Sequence, residues 1–427
     1  MSTRKAKVAF SNVIEPGLRS RLFSHIQKAT EVNNEGNVSW SLDADIDQYM
    51  SVLRDAFVFP SELSRQERAF AVSRGVLDAR KIGRIADSSV LEAIQRFVDE
   101  RLLQPPKTFS MWSRLSFQPS IFTTDKLFNY AGVSIKLSKN LPKYMRISQE
   151  ELSQLRPIET KDIKGFGYLL SSAKARNETH AADKIFGATE IFQAIYNLAL
   201  KPWNILGSEQ KPEAMLLMGP YHFFFRGRKP IFQESTWYNQ NFRDEYWSSA
   251  SADSSKVFES ARVVRRALAK LERHPLKEPI STALLMMNEG MEAADMSRRT
   301  LRYWTALERL FQAGDERVSY EKIIRRATYL DQPADIARAK LSRLVRIRNN
   351  YVHMGTSETG HHQLTQYLAA QVRSHLFYVL FNGDDFADQG EFIEMTDLPS
   401  DAAALERRRR AIERRERMME KRRHRPD

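Results

Sequence analysis

The stretch PADIARAKLSRLVRIRNNYVHM, Pro333 to Met354, decides how the second half of this sequence folds. On a helix turning about 100° per residue its side chains separate into two faces. Ser342, Arg346, Asn349, Asn350 and His353 share a polar side, while Leu341, Leu344, Ile347, Tyr351 and Val352 form an apolar side that other elements must cover. Arg348 falls among the apolar set, between Tyr351 and Val352. A guanidinium buried without a partner is costly, so this face either meets a carboxylate or lines a groove instead of a core.

A carboxylate with the same anomaly lies upstream. Around Glu308 the neighbours at three, four and seven residues are Leu301, Trp304 and Phe311, so Glu308 also projects from an apolar face. Two misplaced charges of opposite sign predict a pair. Either Glu308 and Arg348 form an internal salt bridge that fixes helix register, or they belong to a functional groove.

Outward from this stretch the helical period persists. Val257 to Leu271, Ala283 to Phe311, Tyr320 to Leu330 and Leu364 to Phe381 all carry apolar residues at spacings of three and four. Breaks fall at His274-Pro275, Gly314-Asp315, Asp331 to Pro333, Gly355 and Asn382-Gly383. The expectation is an antiparallel helical bundle over residues 255–385, followed by a basic charged tail over 386–427. Within that tail Glu406 with Arg410, and Glu413 with Arg417, stand four apart, as on a solvated helix.

Residues 1–250 read as mixed α and β, a sensor, regulatory or substrate-binding region, so the whole chain is expected to be α+β. Ile46, Tyr49, Met50, Leu53 and Phe57 predict a short helix stopped by Pro60. Ser64 with Glu67, and Ser89 with Glu92, have capping-box spacing. From Thr108 the period becomes two: Phe109, Met111, Leu115 and Phe117 alternate with polar residues, and Val133, Ile135 and Leu137 repeat the pattern. Met215 to Met218 and Tyr221 to Phe225 predict two strands, or one with a turn, around Gly219-Pro220. The aromatic and basic run from Tyr221 to Lys229 could stack nucleobases, but consecutive phenylalanines favour a buried strand.

Composition narrows the chemistry. There is no cysteine, which removes disulfides, thiolate metal sites and thiol nucleophiles. Sixty-six Lys and Arg against 53 Asp and Glu give a formal charge of +13, which favours polyanionic partners such as RNA or DNA. No run reaches the length of a membrane span, and Met1 to Ala9 has no apolar segment behind its basic residues, so a cytoplasmic protein without a secretory signal is expected. No His and carboxylate set shows metal-ligand spacing, and no cofactor or metal is expected. His361 and His362 read as solvated residues before the last bundle helix, and His222 and His375 as half-buried ones.

Arg348-Asn349-Asn350-Tyr351-Val352-His353 resembles the R-x4-H signature of HEPN domains, including the polar residue directly after the arginine. With Tyr303-Trp304-Thr305-Ala306-Leu307-Glu308-Arg309-Leu310 upstream, the region from Ala283 to Phe381 looks like the Apea-like branch of that superfamily. The resemblance implies metal-independent RNA cleavage at a site shared by two protomers, often in anti-phage defence or toxin systems, with an unidentified trigger or inhibitory partner.

It places Arg348, Asn349 and His353 as catalytic residues and Glu308, Asn350 and Tyr351 as supporting ones, while positive charge makes Arg343 and Arg346 on that helix, and Arg407 and Arg408 in the tail, the expected RNA contacts. The chemistry suits those types: an imidazole of near-neutral pKa serves as base or acid, and an always-charged fork suits a phosphate. Asn349, one turn before His353, could orient the imidazole or the phosphate. Arg348 and His353 stand five positions apart, about 140° around a helix, which agrees with a site completed by a second copy. The alternative is a catalytically silent module that binds nucleic acid or a partner.

Overall fold

A computed structural model of the chain describes residues 7–40, 46–60, 63, 65–117, 125–146, 167–200, 212–231, 237–239, 242, 254–314, 318–329, 331, 333–354, 361–399 and 401–423. Ser64, Leu330 and Gly355, all used in the sequence reading, lie outside these residues. The described residues are α+β, with thirteen α-helices and a central antiparallel sheet. No helix among them is long and apolar enough to cross a membrane.

The N-terminal lobe holds β1 (Ala9–Phe10), α1 (Pro16–Lys28), β2 (Thr30–Val32), β3 (Val38–Trp40), α2 (Ile46–Arg54), β4 (Phe57–Val58), α3 (Arg65–Lys81) and α4 (Asp87–Leu103). Its core, including Phe23, Ile26, Leu53, Val72 and Ile94, forms one apolar cluster that ends at Val98. Ser89 is the third residue of α4 and not its cap: its hydroxyl accepts from Ala86 N–H while Ala86 takes the cap position. The expected Ser89–Glu92 box is therefore replaced by a hydroxyl reaching back one turn.

Next comes the sheet. Its strands are β5 (Lys107–Leu115), β6 (Lys126–Tyr130), β7 (Val133–Ser138), β8 (Gly167–Ala175), β9 (Met218–Arg226), β10 (Lys229–Pro230) and β11 (Trp237–Tyr238), in the order β10-β9-β5-β8-β7-β6 with β11 also on β9. Phe109, Met111, Leu115, Val133, Ile135 and Leu137 are all buried as expected, but only β7 alternates: in β5 Ser110, Trp112 and Ser113 are buried too, because this central strand is covered on both faces. β9 runs through Gly219-Pro220 as a single strand, so Met215 to Leu217 are not a strand of their own. Register explains the continuity. Ser113 faces His222 but Leu115 faces Met218, so one residue of β5 spans three of β9, a bulge that takes up the proline's missing N–H. Phe223, Phe224 and Phe225 are buried, which makes this run a core strand. Gly167 permits a close approach, because a Cβ there would stand 2.0 Å from Cζ of the buried Phe117 ring.

α5 (Glu178–Leu200), apolar on nearly all sides, lies between the sheet and the helices that follow. Those are α6 (Ser254–Arg273), α7 (Lys277–Glu292), α8 (Met296–Phe311), α9 (Tyr320–Ala327), α10 (Ala334–Met354), α11 (His362–Asn382), α12 (Gln389–Thr396) and α13 (Ala402–Arg423). A single apolar cluster runs from Met111 in the sheet to Ile393 in α12. The boundary between the two largest cores thus falls between Val98 and Met111, whereas the sequence pattern places the division at 250–255.

Two further expectations change. Ala283 to Phe311 is two helices in a tight hairpin: Asp295 caps α8 by accepting from Arg298 N–H, and Gly290 leaves room for the Tyr303 ring, 2.4 Å from where a Cβ would sit. The solvated tail starts later than residue 386, since Phe392 and Ile393 of α12 are core residues packed near α9. No described residue of α13 is buried.

Candidate functional site

α10 carries the motif. Leu341, Leu344 and Ile347 are buried as their spacing requires, and Arg343, Arg346 and His353 are exposed. Arg348, Asn349, Asn350 and Tyr351 are half-buried along the flank between these faces. Val352, expected on the apolar side, is 45% exposed. It points in nearly the direction of Leu341, but the last turn of α10 runs beyond the core that buries Leu341.

The side chains around Arg348 come from three helices. Arg348 Nη1 donates to the hydroxyl of Tyr320, at the start of α9, over 2.8 Å, and to Oδ1 of Asn349 over 3.1 Å. Its guanidinium carbon is 5.5 Å from the centre of the Tyr320 ring, whose edge meets Trp304 of α8 at 6.0 Å between centroids. Trp304 Nε1 donates to Glu308 Oε1 over 2.7 Å. Arg348 Nε is buried and has no hydrogen-bond partner.

The expected Glu308–Arg348 salt bridge is thus absent as a direct contact: each group is held by an uncharged neighbour, Glu308 by Trp304 and Arg348 by Tyr320 and Asn349. The two charges still feel one another. Burial pushes the Glu308 carboxyl above its ordinary range, and the Trp304 hydrogen bond, Arg348 and Arg309 pull it only part of the way back.

Two other arginines of the bundle, Arg299 and Arg326, are engaged differently. Arg299, 0% exposed, places Nε and Nη2 on the Ala293 carbonyl and Nη1 on Glu213 at 2.9 Å, whose other oxygen accepts from the Tyr303 hydroxyl. Arg326 places Nε and Nη2 on the two oxygens of Asp397, both at 2.8 Å, and Nη1 on the Phe311 carbonyl. In both, the Nε–Nη2 edge, the side of the fork that fits a carboxylate or phosphate, is filled by the protein. In Arg348 the two hydrogen bonds to described residues both use Nη1.

His353, on the exposed last turn of α10, is not joined to this network by a hydrogen bond among the described residues. Arg407 and Arg408 lie exposed on α13. The histidines expected to be solvated or half-buried are not. His361 is 5% exposed, with both ring nitrogens lacking a hydrogen-bond partner, because the first turn of α11 packs on α8 through Thr300 and Thr365. His362 reaches Gln366. His222 and His375 are fully buried, and burial pulls both down to about 4.

Among the described residues no group of three His, Asp or Glu is placed to hold a metal ion. Tyr320 and Trp304 are the contributors that the sequence reading missed as site residues. Trp304 stands one turn before Glu308, a spacing visible in sequence, whereas nothing in the sequence near Tyr320 points to a residue 28 positions later.

No protein-family model matches this chain, no curated protein matches it, and no solved structure matches it. What fold and site define is a class: an α+β protein whose bundle helix presents an arginine held by one nitrogen beside a half-buried carboxyl and an exposed histidine.

Proposed function

We propose that this protein is a metal-independent endoribonuclease of the HEPN type, acting in the cytoplasm at a site completed by a second copy of the chain. The observation that carries this reading is the Nε–Nη2 edge of Arg348, which makes no hydrogen bond among the described residues although the corresponding edges of Arg299 and Arg326 are filled. Nε of that edge is buried, so Nη2 is the atom that a phosphate oxygen would meet first, and a phosphate is a ligand that a guanidinium edge fits well.

In the proposed reaction the ribose 2′-oxygen attacks the adjacent phosphorus. The P–O2′ bond forms, the P–O5′ bond breaks, one proton leaves the 2′-hydroxyl and one reaches the departing 5′-oxygen. His353 supplies acid or base chemistry, and Arg348 neutralises the phosphorane oxygens. Asn349 acts through Arg348, which its side-chain oxygen holds. Arg343 and Arg346, exposed on the same helix, and α13 add positive charge for RNA. An anti-phage or toxin role, released by a trigger that acts through the N-terminal region, fits this chemistry.

Incubation of the purified protein with RNA in EDTA tests the reading. Fragments ending in 2′,3′-cyclic phosphate and 5′-hydroxyl are expected, with His353→Ala reducing the rate by about 10²- to 10⁴-fold while remaining folded. Cleavage that needs magnesium, or an unchanged rate in His353→Ala, defeats the proposal, and the second outcome favours a silent binding module. Light scattering is expected to show a dimer at micromolar concentration.

A further inference from the structure

We infer that Tyr320 is a positioning residue for Arg348, fixing which edge of the guanidinium meets the phosphate. This rests on the ribonuclease reading for the identity of the ligand and on geometry for the rest.

Tyr320 is itself held from two sides. It is the first residue of α9, where the Ser319 side chain accepts from Lys322 N–H and fixes the turn, and its ring packs edge-on to Trp304. Its hydroxyl oxygen therefore has a set place. Arg348 Nη1 donates to that oxygen and to Asn349 Oδ1, two acceptors on different helices. A guanidinium gripped twice at one terminal nitrogen cannot turn about its Nε–Cζ bond without breaking both hydrogen bonds. The Nε–Nη2 edge is left oriented, and the freedom a long side chain would give up on meeting a phosphate is already spent.

Glu308 is the group that would otherwise capture this edge. Trp304 Nε1 occupies Glu308 Oε1, and the carboxyl is not in direct contact with the guanidinium. Trp304 thus has two parts, buttressing the Tyr320 ring and engaging the carboxylate that competes for Arg348. The arrangement is a support around a functional side chain, built from neutral acceptors so that the charge of the arginine stays available.

The test compares Tyr320→Phe, Arg348→Lys and the double variant in the full-length protein. Tyr320→Phe keeps the ring against Trp304 and removes only the acceptor. Because a hydrogen bond to an ionised group is worth about one to two factors of ten, kcat is expected to fall about 10- to 100-fold, with KM within about two-fold. In the Arg348→Lys background, which keeps the charge but lacks the fork, the same change is expected to add less than about two-fold.

A Tyr320→Phe variant as active as the wild type overturns the inference. So does a fall in kcat that repeats in full on Arg348→Lys, because Tyr320 would then act without Arg348. If the wild type cleaves no RNA the ribonuclease reading fails, and the free protein still decides Tyr320. With ¹⁵N-arginine labelling, the Arg348 Nη signals are expected to be separate in wild type and merged by rotation in Tyr320→Phe. Identical signals in the two proteins overturn the inference.

Discussion

Arg299 and Arg348 stand on two helices of one bundle that pack together, α8 and α10, yet they are treated in opposite ways. Arg299 is sealed: its three nitrogens meet a carboxylate and a helix-end carbonyl, and Glu213 is shared with Tyr303. Arg348 is held by a single nitrogen through neutral acceptors, the half-buried Glu308 carboxyl is turned toward an indole, and its remaining edge makes no hydrogen bond with a described residue. A sealed arginine stabilises its own surroundings. A half-held one leaves hydrogen-bonding capacity for a ligand, and a misplaced charge in a sequence does not say which kind it is.

Stability separates the two most sharply. Arg299→Ala leaves Glu213, only 2% exposed, without its cation, and a loss of about 3–5 kcal/mol is expected in urea unfolding. Arg348→Ala removes hydrogen bonds from the half-buried, uncharged Tyr320 and Asn349 and strands no charge, so about 1 kcal/mol or less is expected. This reverses what a direct Glu308–Arg348 pair would give. Equal losses in the two variants would erase the distinction.

The carboxylates report the same contrast through pH, with opposite signs. Hydrogen bonds from Arg326, then from Arg325, hold Asp397 down at about 2. Its unfolded value is about 4, so its contribution is present above pH 4 and disappears as pH falls toward 2. Asp397→Asn is expected to flatten the unfolding curve in that window. Glu308 is raised by burial, so the folded state binds its proton more tightly than the unfolded chain does. Its contribution is present below about pH 4 and lost as pH climbs through the raised value. Glu308→Gln, which can still accept from Trp304, is expected to remove that loss and leave the protein as stable as wild type or more so at pH 7. A destabilised Glu308→Gln at pH 7 would show Arg348 to be a structural partner.

Periodicity makes the α10 faces and the β7 alternation legible, because each depends on residues a few positions apart. The break at Ala293 to Asp295 is hidden because apolar spacing runs through it with neither glycine nor proline, and the only mark is one capping aspartate. The bulge at Gly219-Pro220 needs the partner strand to be seen. His361 is buried at the start of α11, a helix that meets α8 through Thr365 and Thr300, and Arg348 is held by Tyr320, both across distant parts of the chain. The motif names the helix and the residues of interest, whereas the distinction between a paired and an available arginine lies in tertiary contacts.

A third class of arginine sets the lower limit of the comparison. From Arg407 to Arg425 the sequence has eleven Lys and Arg against three Glu, and α13 has no buried residue among those described. Its ion pairs, Arg410 to Glu406 and Arg409 to Glu413, join exposed side chains one turn apart and contribute little. Ending the chain after Pro399 is therefore expected to change unfolding stability by less than about 0.5 kcal/mol. RNA binding should weaken and its dependence on salt should flatten, by about 0.9 in the log–log slope for each phosphate that α13 no longer neutralises, while kcat at saturating RNA stays the same. A fall in kcat would bring α13 into the reacting site alongside Arg348, and an unchanged slope would leave its charges to solvent.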